Sequence, residues 1–347
     1  MKARPTIRDV AEQAGVSTTT VSFVLNDNPK ETISPRVRQR VWEVARALNY
    51  QANAAAAGLS RKRTRNVALI FYKEDEAITN QFYSFVVQGA IKQAIESDYN
   101  LLFSYLETTY SGFADLPKII REQNAEGALF VRHTAPKMIK DVQSLGMPIV
   151  AVDNTPLIKS LNTIQIDNKR GGILAAEHLH QLGHQQLACL MPLRPPPSVA
   201  DRLEGFRIGL ERHGHQFNAA RHVLHAKNLS FEAAVEAARA RFAKPRVPTA
   251  IFCGNDEMAA GVLRAAREVG RHVPNELSVV GFDDVWMSRY VDPPLTTVRV
   301  EKETLGRRAM SRLLELVECS DEMIKTEHVS VELIVRGSTA RAKRNAP

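Results

Sequence analysis

The sequence predicts an α/β chain in two parts: a small all-α helix-turn-helix headpiece, then a larger two-lobed, doubly wound domain. Three observations predict it. Up to Leu48 the apolar positions recur at helical spacing around a Gly turn. From Asn66 onward, short near-continuous apolar runs alternate with amphipathic helices, the pattern of a parallel sheet covered on both faces. That alternation then occurs a second time, which predicts two lobes of similar build with a cleft between them. A chain of 347 residues is long for one domain, in keeping with two or three.

Thr6 is placed to N-cap a first helix, and Asp9 three residues on favours the positive end of its dipole. Ile7, Val10, Ala11 and Ala14 follow at helical spacing, and Gly15 supplies a turn that needs a permissive backbone. Ser17 reads as a second N-cap, ahead of Val21, Val24 and Leu25 on one face. Two helices of about two turns joined by a tight turn make a helix-turn-helix, whose second helix enters the DNA major groove. Asp27–Ile33 is a polar loop. Ser34-Pro35 then reads as N-cap and first helical residue, leading a third helix through Val37, Val41, Val44, Ala45 and Leu48 that Asn49 ends.

Charge supports the same reading. Residues 1–65 hold twelve Lys or Arg against five Asp or Glu, so +7 of the net +8 lies there and only +1 in the remaining 282 residues. An excess concentrated on a helix-turn-helix points to a polyanionic partner. Cys189, Cys253 and Cys319 are widely spaced without metal-ligand spacing, and two of them fall in apolar strand-like runs, so they read as core residues. No apolar run approaches the ~18 residues of a membrane span, and the N-terminus lacks the apolar stretch of a signal peptide, so cytoplasmic residence is expected, with nucleoid association when DNA is bound.

Thr6-Ile7-Arg8-Asp9-Val10-Ala11, Ala14-Gly15-Val16-Ser17, Thr20-Val21-Ser22 and Leu25-Asn26 together resemble the headpiece of the lac repressor/galactose repressor family of transcription regulators. The resemblance implies DNA contacts from Thr6, Ser17, Thr18, Thr19, Thr20, Ser22, Phe23 and Asn26, with Thr18, Thr19 and Phe23 reading bases. Phe23 departs from the family, which often has Arg there. A phenyl ring can touch a thymine methyl but not hydrogen-bond a guanine edge, and packing on the headpiece is the competing role. The segment after Tyr50 then resembles a hinge helix, with Asn53, Ala56 and the wedge residue Leu59 on the minor groove. Ala52 replaces a common Pro and Gly58 adjoins the wedge, so this helix should depend more on DNA for its order. The implied divisions are a headpiece at 1–51, a hinge at 52–65 and an effector-binding and dimerisation domain at 66–347.

In the large domain, strands are expected at Val67–Tyr72, Leu101–Tyr105, Gly127–Val131 and Ile149–Asp153, and helices near Phe82–Ser97, Phe113–Gln123 and Pro136–Leu145. The second series has strands at Thr163–Ile166, Gln186–Met191, Val223–His225, Thr249–Cys253 and Leu277–Phe282, and helices near Arg170–Leu182, Val199–Arg212, Phe231–Phe242 and Asp256–Val269. The resemblance implies a periplasmic-binding-protein-like sensor that closes around a small molecule. The chain is expected to cross between lobes near Asp153–Thr163, Pro293–Thr297 and Glu318–His328. Helix Glu303–Leu316 would belong to the first lobe and Val329–Arg336 to the second.

Ligands of doubly wound sheets bind beyond the strands' carboxyl ends, where Asp153, Asn255 and Asp283 lie. By the resemblance, Arg202 in Arg-x-x-Gly-Phe and Asp283 in Gly-Phe-Asp-Asp grip the effector. Such groups suit sugar hydroxyls. Phe82, Tyr83 and Trp286 map near the cleft mouth, where rings could cover a sugar or base; Phe82 could equally be core. Asp256 and Asp284 read better as helix N-caps. Arg132, His133 and Arg194, the last before Pro195-Pro196-Pro197, would favour an acid sugar or a phosphate-bearing ligand if they point inward.

No nucleophile-elbow, zinc-protease, P-loop or dinucleotide-binding motif is present, and His178/His180 and His213/His215 lack a convincing third ligand. The expectation is no catalysis, no cofactor and no metal. The expected partners are palindromic double-stranded operator DNA, a sugar or sugar-acid effector and a second copy of the chain, with no membrane. A transport solute-binding protein is the competing reading, and it would lack residues 1–61. The tail has no leucine heptad, which favours a dimer over a tetramer.

Overall fold

The structure is a computed structural model that describes residues 5–25, 33–51, 63–72, 80–106, 110–132, 135–153, 161–319 and 323–343. It divides into two compact units, Met1–Asn66 with Asn124–Glu126, and Val67–Gln123 with Gly127–Pro347.

In the smaller unit, helices α1 (Ile7–Ala14), α2 (Thr18–Leu25) and α3 (Pro35–Ala47) enclose Val10, Ala11, Ala14, Val21, Val24, Val41 and Ala45. Each fully buried valine contributes about 1.5–3 kcal/mol, so so small a core relies on every member. Local signals set the boundaries. Thr6 and Asp9 form a capping box, Gly15 is left-handed at φ 65°, Ser17 Oγ accepts from Thr20 N at 3.0 Å, and Ser34 caps α3 ahead of Pro35. Asn49, at φ 53°, ends α3.

The larger unit runs β1 (Asn66–Tyr72), α4 (Gln81–Glu96), β2 (Asn100–Leu106), α5 (Lys118–Arg121), β3 (Gly127–Val131), α6 (Pro136–Gln143), β4 (Ile149–Val152) and β5 (Asn162–Ile166). It continues with α7 (Asn168–Gln181), β6 (Leu187–Pro192), α8 (Pro197–Arg212), α9 (Ala219–His222), β7 (Val223–Ala226), α10 (Phe231–Phe242), β8 (Ala250–Cys253), α11 (Asp256–Glu268), β9 (Ser278–Asp283) and α12 (Met287–Tyr290). The last elements are β10 (Thr296–Val300), α13 (Lys302–Glu318), β11 (Thr326–Val329) and β12 (Val331–Ile334).

Two six-stranded sheets result, ordered β11-β5-β4-β3-β1-β2 and β12-β10-β9-β8-β6-β7. Register is parallel in both interiors (Ala128 opposite Ile149, Ile251 opposite Val279), and β12 is antiparallel to β10. The central strands are buried throughout, which explains their unbroken apolar runs.

Each lobe is braced by a helix pair that touches backbone to backbone. A Cβ on Gly205 would lie 2.0 Å from Lys169 O, between α8 and α7. One on Gly306 would lie 1.8 Å from Val86 O, between α13 and α4. The Gly of Arg-x-x-Gly-Phe is therefore required by packing, and that packing sets where Arg202 emerges.

Several expectations need correction. The three crossings lie one strand later than Asp153–Thr163, Pro293–Thr297 and Glu318–His328: β5 pairs with β4 in the first sheet, β10 pairs with β9 in the second, and β11 pairs with β5 in the first. The chain crosses at Asp167, Glu301 and Ser330. These points lie side by side, since Asp167 N donates to Val329 O at 3.1 Å and Val300 pairs with Val331. Val329 accordingly ends a first-lobe strand, while Val331–Ile334 joins the second lobe. Phe113–Gln123 is not one helix. Pro117 lacks an N–H and holds Leu116 extended, leaving a 3-10 turn at Phe113–Asp115 and the short α5. Cys189 and Cys253 are buried as expected, whereas Cys319 is exposed.

Candidate functional site

On the headpiece, Thr18 and Thr19 stand exposed at the start of α2. Ser17 and Thr20 are engaged with each other, their hydroxyls 2.9 Å apart, and the Thr6 hydroxyl donates to Asp9 Oδ2 at 2.8 Å. Ser22 is half-buried. Phe23 is half-buried too, and it is not one of the described apolar side chains packed on the headpiece core. Arg8, Arg36, Arg40 and Arg46 are exposed on the same unit. Asn26, Asn53, Ala56 and Leu59 lie outside the described residues.

In the larger unit a cleft of about 640 Å³ opens between the lobes. The first lobe lines it with Asn80, Phe82, Tyr83, Arg132 and Asp153; the second contributes Arg194, Arg202, Lys227, Asn255, Glu257 and Asp283 among others. Of these second-lobe groups, Lys227 directly follows β7, Asp283 ends β9 and Asn255 caps α11, where a doubly wound sheet presents side chains to a ligand.

Arg202 is the fixed point. Only 5% exposed, it donates from Nε to Asn168 Oδ1 at 2.9 Å and from Nη1 to Gly254 O at 2.6 Å, and its guanidinium covers the Phe282 ring at 3.7 Å. Its Nη2 lies 3.2 Å from Asp283 Oδ1, an ion pair without hydrogen-bond alignment. Asp283 Oδ1 is buried and accepts no hydrogen bond. Burial pushes the Asp283 carboxyl up, against the pull of Arg202 and Lys302.

Across the cleft, Tyr83 donates to Asp153 Oδ2 at 2.8 Å. Burial pushes Asp153 up to about 6 despite Arg202 and that hydrogen bond, and burial together with the Asp153 charge pushes the Tyr83 phenol well above its usual value. Arg132 and Asp153 both sit at positive φ (66° and 51°), and the Arg132 guanidinium lies 5.8 Å from the Tyr83 ring centre. Phe82 is both buried and cleft-lining.

Trp286 does not line the cleft. It is 59% exposed and meets Phe85 of α4 edge-on at 5.5 Å, a contact between the lobes. Asn255 lines the cleft, but its amide is engaged: Oδ1 accepts from Met258 N at 2.8 Å as the cap of α11, and Nδ2 donates to Leu229 O. Asp256 and Asp284 are therefore not the helix caps they resembled. Asp256 is buried and accepts from Val285 N and Thr297 Oγ1. Asp284 accepts from Arg299, Arg336 and Ser288; burial works to raise its carboxyl, yet those partners hold it below the usual value.

Sequence reasoning missed Lys302 and Lys227. Lys302, buried at the start of α13, donates to the carbonyls of Asp283, Asp284 and Val300, beneath two consecutive left-handed residues (φ 108° and 50°). Lys227 follows β7, a strand expected at Val223–His225 that runs one residue further, to Ala226. His180 and His215, set aside as separate pairs, meet at 3.0 Å with His213 stacked on His180, but among the described residues no group of three or more His, Cys, Asp or Glu is arranged to hold a metal.

Residues 6–53 match the family model for bacterial regulatory proteins of the lacI family, and residues 176–339 match that for a periplasmic binding protein-like domain. The chain is 30% identical to the HTH-type transcriptional repressor PurR of Photobacterium profundum, over 96% of this chain and 98% of that protein. The chain belongs to the lacI family. This lacI-family chain is a DNA-binding transcriptional regulator with an effector-binding domain behind its helix-turn-helix. It is likewise 30% identical to the probable repressor ExuR of Bacillus subtilis, over 97% of the chain and 98% of the relative. Its fold follows that of the lac repressor dimer bound to operator and the anti-inducer ONPF, with a TM-score of 0.83 at 28% identity over 97% of this chain and 100% of that one. The transcriptional regulator CelR in complex with cellobiose gives 0.72 at 26% identity, over 96% and 100%.

Proposed function

We propose that the protein is a repressor that binds a palindromic operator as a homodimer and is switched by a small sugar or sugar derivative held between its lobes. Residues 1–51 read the half-site, 52–65 couple to it, and 66–347 sense and dimerise. The observation that carries the sensing role is the cleft-lining pair of Arg202 and Asp283, 3.2 Å apart, with Asp283 Oδ1 buried and without an aligned hydrogen bond. The exposed Phe103 and Tyr105 on edge strand β2 support a pairing surface on the first lobe. A transport solute-binding protein would share the lobes, but not a headpiece carrying exposed Thr18, Thr19 and four exposed arginines. Cytoplasmic residence follows from the operator as partner.

The test has two stages. An inverted-repeat DNA library is selected on the purified protein, and the winner is measured by anisotropy across salt; affinity should fall steeply as salt rises. Phe23→Ala should weaken that binding by about tenfold with an unchanged melting temperature, as expected for a lost base contact. A thermal-shift screen of sugars and nucleobases then identifies the effector, and Arg202→Ala should abolish its influence on operator affinity while DNA binding without effector persists. No salt-sensitive preference for any inverted repeat would sink the reading.

A further inference from the structure

We propose that the cleft takes a polyhydroxylated ligand bearing an anionic group, a carboxylate or a phosphate, and that Arg194 and Lys227 hold that group. The inference rests on the cleft being the effector site and names the chemistry of what enters it. Four cations line the cleft, but two are committed. Arg202 is engaged by Asn168, Gly254 and Asp283, and Arg132 lies against Tyr83. Arg194 and Lys227 are exposed, line the cleft, and have no ion pair or hydrogen bond among the described residues.

Their placement is set by the sheet. Pro192 pairs with Ala226 in the β6–β7 register and Leu193 N donates to Ala226 O at 2.8 Å, so the residues just beyond, Arg194 and Lys227, leave the sheet at one level. Between Arg194 and the sixteen-residue α8 lie only Pro195 and Pro196, and α8 has no side-chain cap. Ser198, in its first turn, lines the same cleft, so two cations and the positive end of a long helix converge there. The carboxylate at this end is Glu257, whose Oε1 is engaged by Phe231 N at 3.2 Å.

Elsewhere in the cleft Asp153 and Asp283, whose charges are already matched by Arg132 and Arg202, offer acceptors for hydroxyl groups. A ligand matching both regions is a sugar acid or sugar phosphate. A neutral sugar would leave both cations unmatched. Arg194 was legible in the sequence; its partner is Lys227, and not Arg132 or His133, the latter lying outside the described residues.

Titration calorimetry of the full chain at constant ionic strength, with D-glucose, D-gluconate, D-glucuronate, D-galacturonate, D-glucose 6-phosphate and inorganic phosphate, tests this. At least one anionic sugar should bind ten times more tightly than glucose, and the uronates and gluconate against the 6-phosphate tell which anion the site prefers. In the Arg194→Gln/Lys227→Gln double variant that preference should shrink to threefold or less, with operator affinity and melting temperature unchanged. Glucose binding as tightly as every anionic probe, silence from all anionic probes, or a preference surviving the double variant would each overturn the subsite. The parent reading fails separately, if no panel member changes operator affinity although one binds.

Discussion

The two lobes are built alike and equipped differently. Each has a six-stranded sheet and receives the chain from its neighbour immediately before a helix that packs backbone to backbone through glycine, α13 on α4 in the first lobe and α7 on α8 in the second. The second lobe presents a rigid cradle, with Arg202 tied down on every side and strand ends converging on the cleft. The first presents fewer groups, two of them on positive-φ residues, and one carboxyl that burial has pushed up to about 6. A common scaffold can thus divide recognition: the second lobe is arranged before the ligand arrives, and the first holds a desolvated carboxylate whose hydrogen-bonding capacity a ligand completes.

The strongest test of the scaffold's equivalence is its glycines. Gly205→Ala and Gly306→Ala should each destabilise by about 3 kcal/mol, measured by denaturant unfolding, because the added carbon meets backbone that has nowhere to move. A loss in one lobe and none in the other would break the likeness.

The difference between the lobes is sharpened by two carboxylates. Asp283→Asn should change stability by about 1 kcal/mol or less, since the loss of Arg202's counter-charge is offset by release from the burial that pushes the Asp283 carboxyl up. Asp153→Asn should stabilise the fold by more. Its carboxyl titrates near 6 in the folded chain and near 3.8 when unfolded, so the native state holds the proton more tightly and stability is lost as pH rises between those values. The variant should gain about 1–3 kcal/mol over wild type at pH 7.5, and the gain should vanish below pH 4. An Asp153→Asn protein less stable than wild type at pH 7.5 would mean the first lobe is as settled as the second.

The smallest effect on stability belongs to Trp286. Trp286→Ala removes an edge-on contact with Phe85 worth about 0.5–1.5 kcal/mol, so effector affinity should fall about threefold to tenfold with little change in melting temperature. Unchanged affinity would leave that contact without a part in closure.

Much of this was legible in the sequence. The capping residues of the headpiece act over three or four positions, so Thr6, Gly15, Ser17 and Ser34 could be read directly. Motifs and strand ends marked Arg202 and Asp283, which both line the cleft. The crossings were not found, because sheet membership is a long-range property: β10 and β11 read TTVRV and TEHV, too polar to stand out, although β10 is nearly all buried. The contact of Trp286 with Phe85 could not be read locally, because it joins residues from two lobes. Lys227 and Lys302 carry no local signature. Each owes its role to a neighbour brought from another part of the chain.

The three crossings sit together at the ends of β5, β10 and β11, and Lys302, at one of them, grips the backbone of Asp283 and Asp284. The fulcrum of any lobe rotation is therefore next to the ligand's own floor. With so short an input arm, a small adjustment at the bound molecule is geared up into a larger sweep at the far edge of the first lobe.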